Sequence, residues 1–182
     1  MKSEQFFNRY FSLIAKSVSA IDPSLLESIA VTIQDVSKQG GKIIIVGNGG
    51  SAAMASHVAV DFAKVAKIRA INFNEPDLIT CYANDYGYEN WVSEALQSYA
   101  DKKDLVILIS SSGKSANIIN GALKAKAIGM KSISLSGFDS QNPLRNLGDF
   151  NLWVDSSLYN IVEMTHHIWL LAIVDYLAEL QV

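Results

Sequence analysis

Two apolar runs in this chain each stop abruptly at a corner of glycine or serine. Ile43-Ile44-Ile45-Val46 ends at Gly47-Asn48-Gly49-Gly50-Ser51, and Leu105-Val106-Ile107-Leu108-Ile109 ends at Ser110-Ser111-Ser112-Gly113-Lys114-Ser115. An uninterrupted run of four or five branched aliphatic residues suits a strand buried on both faces, which means a parallel sheet covered by helices on either side. A small-residue corner that opens a helix leaves backbone amides free to meet an anion. Chains built this way place ligands beyond the carboxyl ends of the strands. Two such corners in one small domain suggest a phosphorylated ligand gripped from two sides.

The remaining pattern supports that architecture. Apolar spacing predicts a helix over 5–20, and Asp22-Pro23-Ser24 then restarts a second one that runs to about Ser37 and ends at Gly40-Gly41. Strands are expected at 42–46, 69–73, 104–109, 131–135 and 150–154, with helices at 51–65, 76–84, 88–100, 115–128 and 158–180. The expected fold is α/β, a doubly wound parallel sheet in a three-layer sandwich with two added N-terminal helices. With 182 residues and no linker or repeat, one domain over 1–182 is expected, helical over 1–40 and α/β over 41–182. The net charge of −3 offers no footprint for nucleic acid. The stretch Met1-Lys2-Ser3-Glu4-Gln5 is too polar for a secretion signal, and Ile168 to Val174 is too short an apolar run to cross a bilayer. A cytoplasmic protein with no membrane partner is expected. Cys81, the one cysteine, cannot pair internally and is expected to be a buried thiol in an apolar helix. A mean hydropathy of +0.18 fits an oligomer that hides further surface, and the aromatic N-terminal helix with Phe6, Phe7, Tyr10 and Phe11 looks like packing material.

Gly47 to Ala52 matches the dinucleotide pattern GxGxxA, for which Glu75 is the available ribose-binding acid. The second corner, rich in serine, is not something a dinucleotide fold requires. Gly113-Lys114-Ser115 falls short of a P-loop, because Leu108 stands where that motif needs its first glycine. The hydroxyls of Ser110, Ser112 and Ser115 and the first amides of the next helix can instead donate to phosphate oxygens. Further along the first corner's helix, His57 and Asp61 lie four residues apart and share a face. A carboxylate beside an imidazole suits proton abstraction next to a carbonyl, or a divalent metal.

These segments together resemble the sugar isomerase (SIS) domain family and, within it, the phosphoheptose isomerases. The likeness runs through Gly47-Asn48-Gly49-Gly50-Ser51-Ala52-Ala53, His57 with Asp61, Ala83-Asn84-Asp85-Tyr86-Gly87-Tyr88, the serine corner and a glutamate-bearing last helix. It implies a fold of the flavodoxin-like kind and an aldose–ketose isomerase of sugar phosphates, at work as a homodimer or homotetramer. It also implies substrate contacts at Asn48, Gly49, Gly50, Ser51, Asn84 and Asp85, and a phosphate grip at Ser110, Ser111, Ser112 and Ser115. His57 and Asp61 occupy the family's zinc and acid–base positions, with Asp61 where the family has glutamate. The last helix departs from the pattern: Val162 and Leu170 stand where the family has a glutamine and a histidine. Half of the zinc set is therefore replaced by apolar side chains. His166, one turn from both positions, is the candidate to supply the missing imidazole, while His167 points about 100° away and Glu163 could orient either ring. Two functions follow. One is a sugar-phosphate isomerase with catalytic Asp61, His57 and His166; the other is a sugar-phosphate-binding or protein-docking module that has shed catalysis.

Overall fold

A computed structural model describes residues 3–180. Met1 and Lys2, with which the secretion-signal reading begins, lie outside the described residues. Two helices lead, α1 (Ser3–Val18) and α2 (Pro23–Lys38). Asp22 caps α2 by accepting from the Ser24 amide at 2.9 Å, with Pro23 in the first turn, as the sequence predicts. Strand and helix then alternate: β1 (Ile43–Gly47), α3 (Gly50–Lys64), β2 (Ala70–Asn72), α4 (Pro76–Tyr86), α5 (Trp91–Tyr99), β3 (Leu105–Ile109), α6 (Ala116–Ile128), β4 (Lys131–Ser136), β5 (Phe150–Trp153) and α7 (Tyr159–Glu179). A single 3-10 turn at Pro143–Asn146 is the element that apolar spacing does not predict.

The five strands are all parallel, in the order β2-β1-β3-β4-β5. Every residue of β1 and β3 is buried, which is why these two read as unbroken apolar runs. β2 is a three-residue edge strand with Ile71 exposed. Side chains alternate across the pleat. Ile43, Ile45, Ile107 and Ile109 pack under α2, α3 and α7, and Ile44, Val46, Val106 and Leu108 pack under α5 and α6.

The chain leaves β1 towards β2 on one side and continues from β3 to β4 on the other, so the order reverses between β1 and β3. In open α/β sheets that crevice is the ligand site. The register pairs Gly47 with Ile109, which brings both corners to the rim at one height. At the foot of the same strands, the Asp104 carboxylate accepts from the Lys42 amide at 2.9 Å, the Lys42 ammonium and the Asp101 amide at 2.8 Å.

By length and composition α7 is apolar enough to cross a membrane. It is instead the central helix of one layer, packed on α1, α2 and α3 with Ile161, Val162, Thr165, His166, Trp169, Leu170, Ile173, Val174 and Leu177 buried. α1 contributes no fully buried residue, and Phe6, Phe7 and Phe11 are exposed along it. One sequence expectation is corrected here. Cys81 is exposed, because α4 rests on the core through Leu78, Ile79, Tyr82 and Ala83, and Cys81 falls beside that stripe.

Candidate active site

The two corners meet as the topology requires. At the first, Gly49 takes φ 53° and ψ −120°, a conformation open to glycine, and turns the chain straight into α3. At the second, Ser110 donates to the Ser115 hydroxyl at 2.9 Å, and Ser115 is the N-cap of α6. A cavity of about 120 Å³ lies between them, lined by Asn48, Ser51, Ser110, Ser111, Ser112 and Ser115 together with Ile109, Tyr159 and Glu163. The first turns of α3 and α6 both open here, so unpaired amides and two helix dipoles favour an anion.

Three residues to which the motifs assign no role hold this rim in shape. Asn117, in the first turn of α6 and almost wholly buried, exchanges two hydrogen bonds with Asn48: Asn48 Nδ2 to Asn117 Oδ1 at 3.0 Å, and Asn117 Nδ2 to Asn48 Oδ1 at 2.9 Å. The Tyr88 hydroxyl also donates to Asn48 Oδ1, at 3.2 Å. Asn142 sits beneath the serine corner and is fully buried. Its amide donates to Ser136 Oγ, Gly137 O and Asp139 O, and its Oδ1 accepts from the Arg145 amide. Gly113, at φ +65°, rests directly on it: a Cβ there would lie 1.8 Å from Asn142 Oδ1. Gly113→Ala is therefore expected to destabilise the fold by at least about 2 kcal/mol, since backbone strain and the clash act together. It should also weaken inorganic phosphate binding, read by thermal melts with and without phosphate. Unchanged melting and binding would show that the corner tolerates a side chain.

Glu163 has a definite place over the first corner. A Cβ on Gly50 would sit 2.5 Å from Glu163 Oε2, and Ser111 Oγ donates to Oε1 at 3.5 Å. A carboxylate against the start of α3 is electrostatically favourable. Glu163 thus bridges the two corners, with the start of α3 on one side and Ser111 on the other.

Further along α3, His57 and Asp61 do share a face, with His57 Nε2 3.2 Å from Asp61 Oδ2. The imidazole that joins them is His167, not His166. His167 Nε2 lies 3.0 Å from His57 Nδ1, with the rings edge to face at 4.9 Å. Burial lowers the His167 pKa, with the neighbouring His57 adding to the effect and Asp61 opposing it. His166 corrects the sequence expectation. It is fully buried in the core stripe it shares with Val162 and Leu170, and its Nε2 contacts the Ser136 carbonyl at 3.0 Å. A residue on the face of two buried apolar side chains faces the core with them. Burial pushes the His166 pKa down to about 4, against the Ser136 hydrogen bond, and its Nδ1 has no partner among the described residues. Asn84 and Asp85 are exposed in the last turn of α4, where Asn84 Nδ2 donates to Asp85 Oδ1 at 2.8 Å. They stand one turn before Tyr88, outside the cavity between the corners.

Zinc takes four ligands, at roughly 2.0–2.2 Å for nitrogen and oxygen. His57 Nε2 and Asp61 Oδ2 could form one edge of such a tetrahedron. Val162 and Leu170 are fully buried and apolar, and His167 faces the other ring nitrogen of His57. Among the described residues no group of three His, Cys, Asp or Glu side chains is arranged to hold an ion. This donor set does not fit a four-coordinate zinc.

Comparison with known proteins gives these features a context. The SIS domain family model matches residues 5–137. The chain is 36% identical over 149 residues to a phosphoheptose isomerase of Helicobacter pylori, covering 79% of this chain and 77% of that protein. It is 32% identical over 158 residues to a probable phosphoheptose isomerase of Thermoplasma volcanium, covering 83% and 80%. The solved phosphoheptose isomerase of Neisseria gonorrhoeae superposes with a TM-score of 0.87 at 25% identity, over 97% of this chain and 99% of that one. The NanR protein of Vibrio vulnificus, complexed with ManNAc-6P, shares the fold at a TM-score of 0.70 and 18% identity, over 96% of this chain and 62% of that one. A parallel 2-1-3-4-5 sheet, paired corners at its switch point and matches of this extent lead to one conclusion: this chain belongs to the SIS domain family, with phosphoheptose isomerases among its relatives.

Proposed function

We propose that this protein is an aldose–ketose isomerase acting on a seven-carbon sugar phosphate of the sedoheptulose 7-phosphate type. The observation that carries this is a single line of groups along α3, with the anion cradle at its head and the His57–Asp61 pair further down. From Gly50 to His57 is seven residues, or about 10 Å of helix. The side chains of His57 and Asp61 lean back towards the helix start. An extended sugar with C–C bonds of ~1.5 Å advances roughly 1.25 Å per bond, so its C2 stands about 9 Å from the phosphorus of a 7-phosphate. Phosphate and reacting carbons then reach their two sets of groups together.

In this reading Ser110, Ser111, Ser112 and Ser115 hold the phosphate, so that remote binding energy positions the reacting carbons. Asn48, Gly49, Gly50 and Ser51 meet the sugar chain, and Asn84 and Asp85 approach its hydroxyls from the end of α4. Asp61 moves the proton between C1 and C2 through an enediol, with one oxygen on His57 and the other turned to the substrate. His57 exchanges protons with the sugar oxygens through Nε2, where the substrate takes the place of the Asp61 contact. His166 is given no part, because it lies inside the core. The protein works as a homo-oligomer that covers the aromatic face of α1, and the exposed thiol of Cys81 suits a reducing, cytoplasmic compartment.

The test is an assay with sedoheptulose 7-phosphate, with and without added zinc. Turnover to the aldose without added metal is expected. If neither condition gives turnover while the sugar phosphate still raises the melting temperature, the isomerase reading falls and a binding module replaces it.

A further inference from the structure

The contacts around His57 determine where its proton sits. An ionised Asp61 can only accept, so the 3.2 Å contact places a proton on His57 Nε2. In a neutral ring His57 Nδ1 then carries a lone pair and can only accept. The 3.0 Å contact to His167 therefore requires the proton on His167 Nε2. One tautomer of each ring satisfies both contacts. The His57 side chain is 52% exposed, so packing alone does little to fix its plane. His167 is half-buried on α7, one turn beyond Glu163, and that helix is anchored in the core on both sides of it.

We propose that His167 is a positioning residue, which donates from Nε2 to His57 Nδ1 and thereby fixes the plane of the ring whose tautomer Asp61 sets and, through that ring, the Asp61 carboxylate. Its effect on turnover rests on the isomerase reading; its effect on the His57 ring does not. The hydrogen bond gives His57 a fixed partner on Nδ1, as groups behind an acting histidine commonly do.

The chain has three histidines, so each ring can be followed separately. With isotope-labelled histidine at about pH 8, above the imidazole range, long-range proton–nitrogen correlation reports which nitrogen of each ring is protonated. Wild type should show His57 protonated on Nε2. In His167→Phe the Asp61 contact still holds the proton on Nε2, but the bare Nδ1 should lose its hydrogen bond and its nitrogen resonance should move towards that of a free imine nitrogen; His167→Gln, whose amide can donate, should restore the wild-type resonance. With sedoheptulose 7-phosphate, His167→Phe should lose about ten- to a hundredfold in kcat with little change in KM, and His167→Gln should regain most of it. A wild-type His57 protonated on Nδ1 overturns the proposal without any variant, as does an unaltered Nδ1 resonance in His167→Phe. If wild type itself shows no turnover, the isomerase reading fails and the nitrogen spectra still decide this one.

Discussion

Asp61→Asn is expected to lower kcat about a thousandfold while the stabilisation of the protein by inorganic phosphate stays as it was. Asparagine keeps the size of the side chain and an oxygen that can accept from His57 Nε2, so the contact across one turn of α3 survives. What disappears is the charge that takes up a proton. The serine corner, the proposed phosphate grip, lies beyond the start of α3, which is itself about three turns from Asp61, and shares no hydrogen bond with Asp61 among those described. A coupled assay gives kcat, and a melting series with phosphate gives binding. Turnover within about twofold of wild type would remove Asp61 from the proton path and leave His57 or Glu163 to carry it.

The second large effect concerns stability. His166 is fully buried with its pKa pushed down to about 4, against about 6.5 for an exposed imidazole. Between these values the unfolded chain binds a proton that the folded protein refuses, so stability rises with pH across this window. The contribution is whole above about pH 6.5, declines as pH falls, and is reduced by about 3 kcal/mol near pH 4. Urea titrations from pH 7 to about pH 4 should show this loss in wild type. His166→Leu should flatten it, because leucine has no proton to gain and also removes the unpartnered Nδ1. The same acid sensitivity in the variant would show that other groups govern it.

Sequence alone carried the architecture a long way. β1 and β3, the corners behind them and the capped start of α2 depend on local chemistry: branched aliphatic runs, glycines free of steric restriction, and a carboxylate before proline. The placement of His57 and Asp61 on one face follows from helical spacing and was legible for the same reason. The histidine on α7 was not. That helix is apolar on most sides, so spacing cannot tell which stripe the protein buries, and His166 and His167 are adjacent. Burial of Val162, His166 and Leu170 turns the neighbouring stripe of Glu163 and His167 towards α3. Asn117 carries no local signal because its partner Asn48 is 69 residues away, and Asn142, which bonds only near neighbours, gains its place under the corner from a tertiary contact with Gly113. Cys81 departs from its expected burial because an apolar neighbourhood in sequence is not a buried side in space.

β1 and β3 are fastened at both ends, by Asp104 with Lys42 below and by Asn48 with Asn117 above. Under the proposed function, incoming phosphate esters meet a mould already set, and their affinity is not drained by ordering loose backbone. Ranking a series of such esters by dissociation constant would then compare the compounds themselves, undistorted by any rearrangement of the frame that receives them.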